Sequence, residues 1–262
     1  MAAPFSRRDD VATARGATDR AGTGGAAAGD GVRGNGDGSR NGHTPSQLAL
    51  LGLALLLSIF FWDSLLLYPV KLFVVLLHEA SHAAAALLTG GRVVEIQIDE
   101  RIGGHAITQG GWSFVIVSSG YLGSMLLGGA VLLLGLRRRL APILATGIGV
   151  LVLLVTVLLV RNGFGFIFGL VFGAGLLAAA RWLPAAWLGF VLQYLGGASC
   201  LYALVDAKED LLTLEPRLTD AAILAELTGI PALVWGVLWS VAALVVFLLV
   251  LRRVLRHATP RH

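Results

Sequence analysis

The chain has 262 residues, of which 56% are hydrophobic and 14% are charged, with a formal net charge of +4 and a mean hydropathy of +0.79. Soluble domains average about 45–50% apolar and about 25% charged residues, so this composition excludes an ordinary soluble globular protein. A single cysteine excludes an internal disulfide framework. The basic residues are scattered over termini and short connections, so no nucleic-acid partner is expected.

Residues 1–46 differ in composition from the rest of the chain. They carry six arginines, five aspartates and ten glycines, with almost no bulky apolar residue. Such a segment cannot bury enough apolar surface to offset its ordering entropy. We therefore predict a disordered polar tail over 1–46, followed by a membrane domain over 47–256.

Seven apolar runs follow the tail, each long enough for a bilayer core that needs about 20 residues per helix. The spanning elements must be helices, because lipid offers the backbone no hydrogen-bond partner. The sequence thus predicts an all-α, polytopic transmembrane helix bundle with six or seven spans, in a bacterial plasma membrane. The first two runs are separated only by a short turn near Tyr68–Pro69. The runs cover residues 48–70, 72–88, 112–136, 140–160, 162–180, 182–205 and 230–251.

Two longer connections interrupt the spans. Residues 90–111 are rich in glycine and contain an alternating apolar pattern, which predicts a short strand or hairpin at the membrane surface. Residues 207–229 contain Thr219 and Asp220, a pair that can cap a short helix running to Leu227.

The second apolar run contains the motif H-E-x-x-H, formed by His78, Glu79 and His82. A spacing of four puts both imidazoles on one helix face, where they can bind one Zn²⁺. Glu79 lies beside them and can act as general base and acid, taking a proton from the attacking water and returning it to the leaving nitrogen. Ionisable groups in an apolar run are costly and usually functional, so a chance match is the less favoured interpretation.

An H-E-x-x-H motif within a transmembrane helix resembles the site-2 protease family of intramembrane zinc metalloproteases, and most closely a divergent bacterial branch. The resemblance covers roughly residues 70–230 and includes the small-residue segment 83–93 after the motif. The segment 119–124, S-G-Y-L-G-S, is similar to the family's Gly-Pro-x-x-Asn segment. Here Tyr121 stands in place of the proline and Ser124 in place of the asparagine, a residue that the family is thought to use to hold substrate.

The resemblance implies a third zinc ligand, an aspartate on a later helix that is usually followed by glycine. No such Asp-Gly pair occurs in the membrane domain, so the candidates are Asp206 and Asp210, at the end of an uncharged span. We favour Asp206, because the span that it ends and the span with the histidines run in the same direction in a seven-span bundle. The predicted metal ligands are therefore His78, His82 and Asp206, with Asp210 as the alternative.

These residues predict a zinc metalloendopeptidase that cleaves membrane-protein substrates in or near their transmembrane segments. Residues 93–99 could offer a free strand edge to an extended substrate. His105 is expected to be a surface residue rather than a fourth ligand or a substrate contact. Two rivals remain open: a non-proteolytic membrane protein with a structural or regulatory metal site, and a metal or small-solute transporter.

Overall fold

The computed structural model describes residues 45–61, 64–212 and 219–258, with the side chains of 45, 46, 48, 203–212, 257 and 258 left out. Within these ranges the chain is mostly helical and carries one β-hairpin. The elements are α1 (Pro45–Phe60), α2 (Tyr68–Leu88), β1 (Arg92–Ile98), β2 (Gly104–Gln109), α3 (Ser113–Gly135), α4 (Ala141–Leu159), α5 (Gly163–Trp182), α6 (Ala185–Leu212), α7 (Asp220–Thr228) and α8 (Ala232–Ala258).

Five of the described helices, α2, α3, α4, α5 and α8, are long and apolar enough to cross a membrane. Helix α6 is longer still, at 28 residues, whereas α1 has only 16. The chain is thus a multi-pass membrane protein, as the apolar runs predicted.

The break before α2 lies earlier than expected. Residues Leu65–Leu67 form a single 3₁₀ turn, and Tyr68 and Pro69 already belong to the first turn of α2. A proline is tolerated there because the first helical N–H groups have no intrahelical partner.

Helix α2 lies at the centre of the described fold. Its first half is buried on all sides, from Leu72 to Leu76, as expected for a helix that is apolar all round. Phe73 stacks on Phe172 of α5 with ring centroids 4.9 Å apart. Ile96 and Ile98 of β1 join the same core. The histidine motif therefore sits on a helix that is fixed by packing.

Helices α3 and α6 approach each other through small residues. A Cβ atom added at Gly128 would lie 2.6 Å from Cβ of Ser199, and one at Gly196 would lie 2.4 Å from the Gly128 carbonyl oxygen. Close backbone approach through small residues is the usual way in which membrane helices associate. This contact fixes α3, which in turn lies against the histidine-bearing half of α2.

The predicted hairpin in 90–111 is confirmed: β1 and β2 pair antiparallel, with a bulge between Val93 and Glu95. The outer edge of β1 is occupied by the α4–α5 turn. The Arg161 N–H donates to the Ile96 carbonyl at 3.1 Å, and the Asn162 side chain bonds both backbone groups of Ile98. The edge at residues 93–99, which the sequence suggested for a substrate, is therefore partly taken by the chain itself.

Candidate metal centre

The two histidines of the motif point the same way from the second half of α2. The imidazole rings of His78 and His82 pack edge-to-face with centroids 4.7 Å apart, as i and i+4 residues on one helix face do. Glu79 is 5% exposed and lies under β2. A Cβ atom at Gly104 would lie 3.0 Å from Oε1 of Glu79, so only glycine lets the strand close over this carboxyl.

A carboxylate from outside α2 completes the cluster, and it belongs to Asp220. Its Oδ2 atom lies 3.2 Å from Nε2 of His78 and 3.3 Å from Nε2 of His82. Asp220 is the first residue of α7, which is capped by the Thr219 hydroxyl accepting from the Ala222 N–H at 3.2 Å. The short helix predicted from Thr219 and Asp220 is confirmed, and it delivers a carboxylate to the histidines.

The hydrogen bonds around the cluster leave a place for a cation. Nδ1 of His82 lies 2.7 Å from the Ile116 carbonyl oxygen, which can only accept, so Nδ1 carries the proton and Nε2 of the neutral ring has the lone pair. That lone pair faces the buried Oδ2 of Asp220 at 3.3 Å. Two facing acceptors repel unless a positive charge lies between them.

Without a metal, protons on the imidazoles can supply the positive charge instead. Burial alone would raise the pKa of the Asp220 carboxyl, but hydrogen bonds and positive charge from the two imidazoles lower that pKa well below its usual range. Asp220 is thus an anion.

The donor set matches zinc. The three ligand atoms lie within 4.8 Å of one another. Ligands at about 2.05 Å from a tetrahedral zinc are roughly 3.3 Å apart, close to the two distances from Asp220. Two imidazoles and a carboxylate leave a fourth position open, as catalytic sites require. A zinc-binding histidine also usually donates its other ring N–H to a carboxylate or a backbone carbonyl, as His82 does to Ile116 here.

Helix α3 brings its S-G-Y-L-G-S segment against the cluster. A Cβ atom at Gly120 would lie 2.4 Å from Nε2 of His78 and 2.5 Å from Nε2 of His82, and one at Gly123 would lie 2.5 Å from Oγ of Ser81. The two glycines therefore act as close-packing positions. The Ser119 hydroxyl donates to the Ser81 carbonyl at 3.1 Å and ties the helices together.

The two residues that depart from the family's segment have different surroundings. The Tyr121 ring meets His78 edge-on with centroids 5.1 Å apart. Ser124 is buried, and its hydroxyl donates to the Tyr121 carbonyl at 3.1 Å. The Ser124 hydroxyl is thus hydrogen-bonded within its own helix.

A cavity of about 530 Å³ opens beside the cluster. Ligand pockets are typically about 300–1,000 Å³, so the space suits a short peptide segment. Its walls are Val75 and the motif of α2, residues 102–108 around β2, Ile116, Val117 and Tyr121 of α3, Tyr202 of α6, and Thr219, Asp220 and Ile223. His105 lies in this wall and is exposed, as predicted.

The structure thus brings together His78, Glu79 and His82 of the predicted site residues. Asp206 and Asp210 fall in the last turns of α6, but their side chains lie outside the described residues. Asp220 had been assigned only a capping role, because nothing in its local pattern distinguishes it from the other carboxylates near the end of α6.

A model of the peptidase M50B-like family matches residues 50–250, which is most of the chain. The M50 family is zinc-dependent, so the match implies a metallopeptidase, and the cluster of His78, His82 and Asp220 could bind its metal. No curated protein and no solved structure matches the chain. The resemblance seen in the sequence is confirmed: the chain belongs to the peptidase M50B-like family of site-2 protease-like intramembrane metalloproteases.

Proposed function

We propose that this protein is an intramembrane zinc endopeptidase that hydrolyses peptide bonds in or near transmembrane segments of other membrane proteins. The observation that carries the proposal is the approach of the Asp220 carboxylate to Nε2 of both histidines, beside Glu79 and at the wall of a cavity. In this proposal His78, His82 and Asp220 hold the metal, with Asp220 in the role that the sequence suggested for Asp206.

The chain's own residues divide the chemistry between them. Bound zinc supplies Lewis acidity to the scissile carbonyl and to the attacking water. Glu79 accepts the proton of that water and gives it to the leaving amide nitrogen, so the carboxyl returns to its starting state after each turnover. The cover that β2 places over Glu79 limits bulk water at this proton transfer.

Glu79→Gln is the test of catalysis. The amide keeps the shape of the carboxylate but cannot take a proton, so we expect cleavage to fall by about 10²–10⁴-fold. The zinc content should stay at the parent's level, because the ligands are untouched. Cleavage is measured in proteoliposomes with a library of quenched-fluorescence transmembrane peptides, and zinc by elemental analysis.

The matched control is Glu226→Gln, the same change at an exposed position of α7. It should leave both cleavage and zinc unchanged. Full cleavage by the Glu79→Gln protein would remove Glu79 from the mechanism.

We further propose that β2 presents the substrate to the site as an extended strand. The backbone groups of Ile96 and Ile98 point away from β2, toward Arg161 and Asn162. Their partners in the antiparallel register are Ala106 and Gly104, whose N–H and C=O groups must then point away from β1. Among the described residues no strand covers this edge, which borders the cavity. A substrate segment added there would have its unwound peptide bonds near the metal ligands.

Ala106→Pro tests this docking edge. Proline removes only the N–H that faces outward, so the pairing with β1 is retained. We expect kcat/KM for peptide substrates to fall about tenfold, in line with a lost hydrogen bond of about 1 kcal/mol and the added ring. Zinc content should not change. Ala106→Val adds bulk but keeps the N–H, so it serves as the control, and equal cleavage by the two variants would exclude the edge.

A non-proteolytic protein with a structural metal is the second candidate. The position of Ser124 favours it, since the side chain that stands in for the family's asparagine is bonded within its own helix. The Glu79→Gln protein separates the two, because an unchanged biological activity with zinc retained would support this alternative.

A further inference from the structure

Helix α7 carries Asp220 but is too short to hold its own position. It has nine residues, and isolated helices below about 12–15 residues are marginal in water. Its last residue is followed by Gly229 with a φ of 73°, a left-handed conformation that ends the helix. The position of the carboxylate must therefore be set by what α7 packs against.

One face of α7 is buried against two aromatic rings. Ala221 and Leu224, three residues apart and hence on the same face, form a cluster with Tyr121 of α3 and Trp239 of α8. Leu224 is 0% exposed and Trp239 is 3% exposed. The following residues, from Glu226 to Ile230, are all exposed. The buried apolar contacts of α7 are therefore concentrated toward the end that bears Asp220, and at the other end the Trp235 indole N–H donates to the Thr228 hydroxyl at 3.2 Å.

The same rings also reach the histidines. The Tyr121 ring packs on Trp239 with centroids 5.1 Å apart, and it also meets His78 edge-on at 5.1 Å. We call Tyr121 and Trp239 the aromatic clamp. It contacts a histidine ligand on one side and the aspartate-bearing helix on the other.

We propose that the aromatic clamp positions Asp220 against the histidine pair, so that Tyr121 and Trp239 set the affinity of the site for zinc without touching the metal. The inference rests on the proposed role of Asp220 as a ligand. Metal–ligand distances tolerate only about 0.2 Å of error, so a small shift of α7 withdraws the carboxylate. Removing supporting residues of this kind typically weakens metal binding 10–100-fold.

The experiment measures zinc affinity of the full-length protein in detergent, by competition with a chromogenic chelator. We expect Trp239→Ala to weaken zinc binding 10–100-fold and to alter the visible spectrum of the cobalt-substituted protein, which reports ligand geometry. Trp239→Phe keeps an aromatic ring and should stay within threefold of the parent. Trp187→Ala removes an exposed tryptophan at the start of α6 and should have no effect. If Trp239→Ala does not fold, Leu224→Ala loosens the same contact from the side of α7 and should also weaken binding.

A double-mutant cycle distinguishes positioning from a general loss of structure. In an Asp220→Asn background there is no carboxylate ligand to position, so Trp239→Ala should change zinc affinity less than twofold. An equal loss in both backgrounds would overturn the clamp and leave Trp239 a structural residue. If Asp220→Asn alone has no effect on zinc affinity, the proposed metal site fails instead.

Discussion

Replacing Asp220 by asparagine is expected to weaken zinc binding to a low but measurable affinity and to reduce cleavage with it. The carboxylate is the only anion among the three converging side chains, and its Oδ2 is the atom within 3.3 Å of both imidazole Nε2 atoms. An amide keeps the shape but loses the charge, so we expect affinity to fall at least 100-fold, beyond the loss typical of a supporting residue. The measurement is zinc per chain in the detergent-purified protein, which should drop from about one to near zero.

Asp206→Asn and Asp210→Asn are the matched variants, since they remove the carboxylates that the sequence favoured. Both should keep their zinc and their activity. Zinc lost from the Asp206→Asn protein and kept by the Asp220→Asn protein would restore the ligand set predicted from the sequence.

The helices could be predicted because apolar runs and their interruptions are local properties of the chain. The predicted runs over 112–136, 140–160 and 162–180 differ from α3, α4 and α5 by at most two residues at each end. The boundary near Pro69 was misplaced because proline marks both turns and the first turn of a helix. Only the contacts of the preceding segment decide which of the two occurs.

The residues of the candidate site also fall into those that a local sequence pattern reveals and one that it does not. His78, Glu79 and His82 could be found because their spacing alone fixes their shared face on α2. Asp220 could not, since a carboxylate that comes from a separate helix is joined to the histidines only by tertiary packing. The capping role of Thr219–Asp220 is real, and it explained Asp220 without reference to the metal.

Which edge of the hairpin is free could not be predicted from the sequence either. The alternating pattern predicted a strand, but the strand that remains open depends on where the α4–α5 turn lies. The Asn162 side chain is hydrogen-bonded to the backbone N–H and C=O of Ile98 on β1. The strand β2 is therefore the free edge that borders the cavity.

Gly120→Ala is expected to remove the metal while leaving the fold in place. The added methyl carbon would lie 2.4 Å from Nε2 of His78 and 2.5 Å from Nε2 of His82, the two atoms that would bind zinc. Either the imidazoles turn away or α3 withdraws, and both outcomes separate the ligands. Overpacking costs about 1–3 kcal/mol, whereas alanine in place of a mid-helix glycine recovers about 1 kcal/mol. The melting temperature should therefore change little while zinc affinity falls at least 100-fold, by analogy with the loss of a ligand.

Gly128→Ala is the matched control, because it creates a similar clash on the same helix away from the metal. Its methyl carbon would lie 2.6 Å from Cβ of Ser199 in the contact between α3 and α6. The Cβ atom of Ser199 and the Gly196 carbonyl oxygen cannot turn aside as an imidazole can, so this variant should lose thermal stability but bind zinc with the parent's affinity. If the Gly120→Ala protein also keeps its zinc, the two imidazoles do not supply the ligand atoms that face α3, and the metal site proposed here must be abandoned. The glycine of the S-G-Y-L-G-S segment that faces the histidines thus tests the position of the metal independently of every ligand substitution.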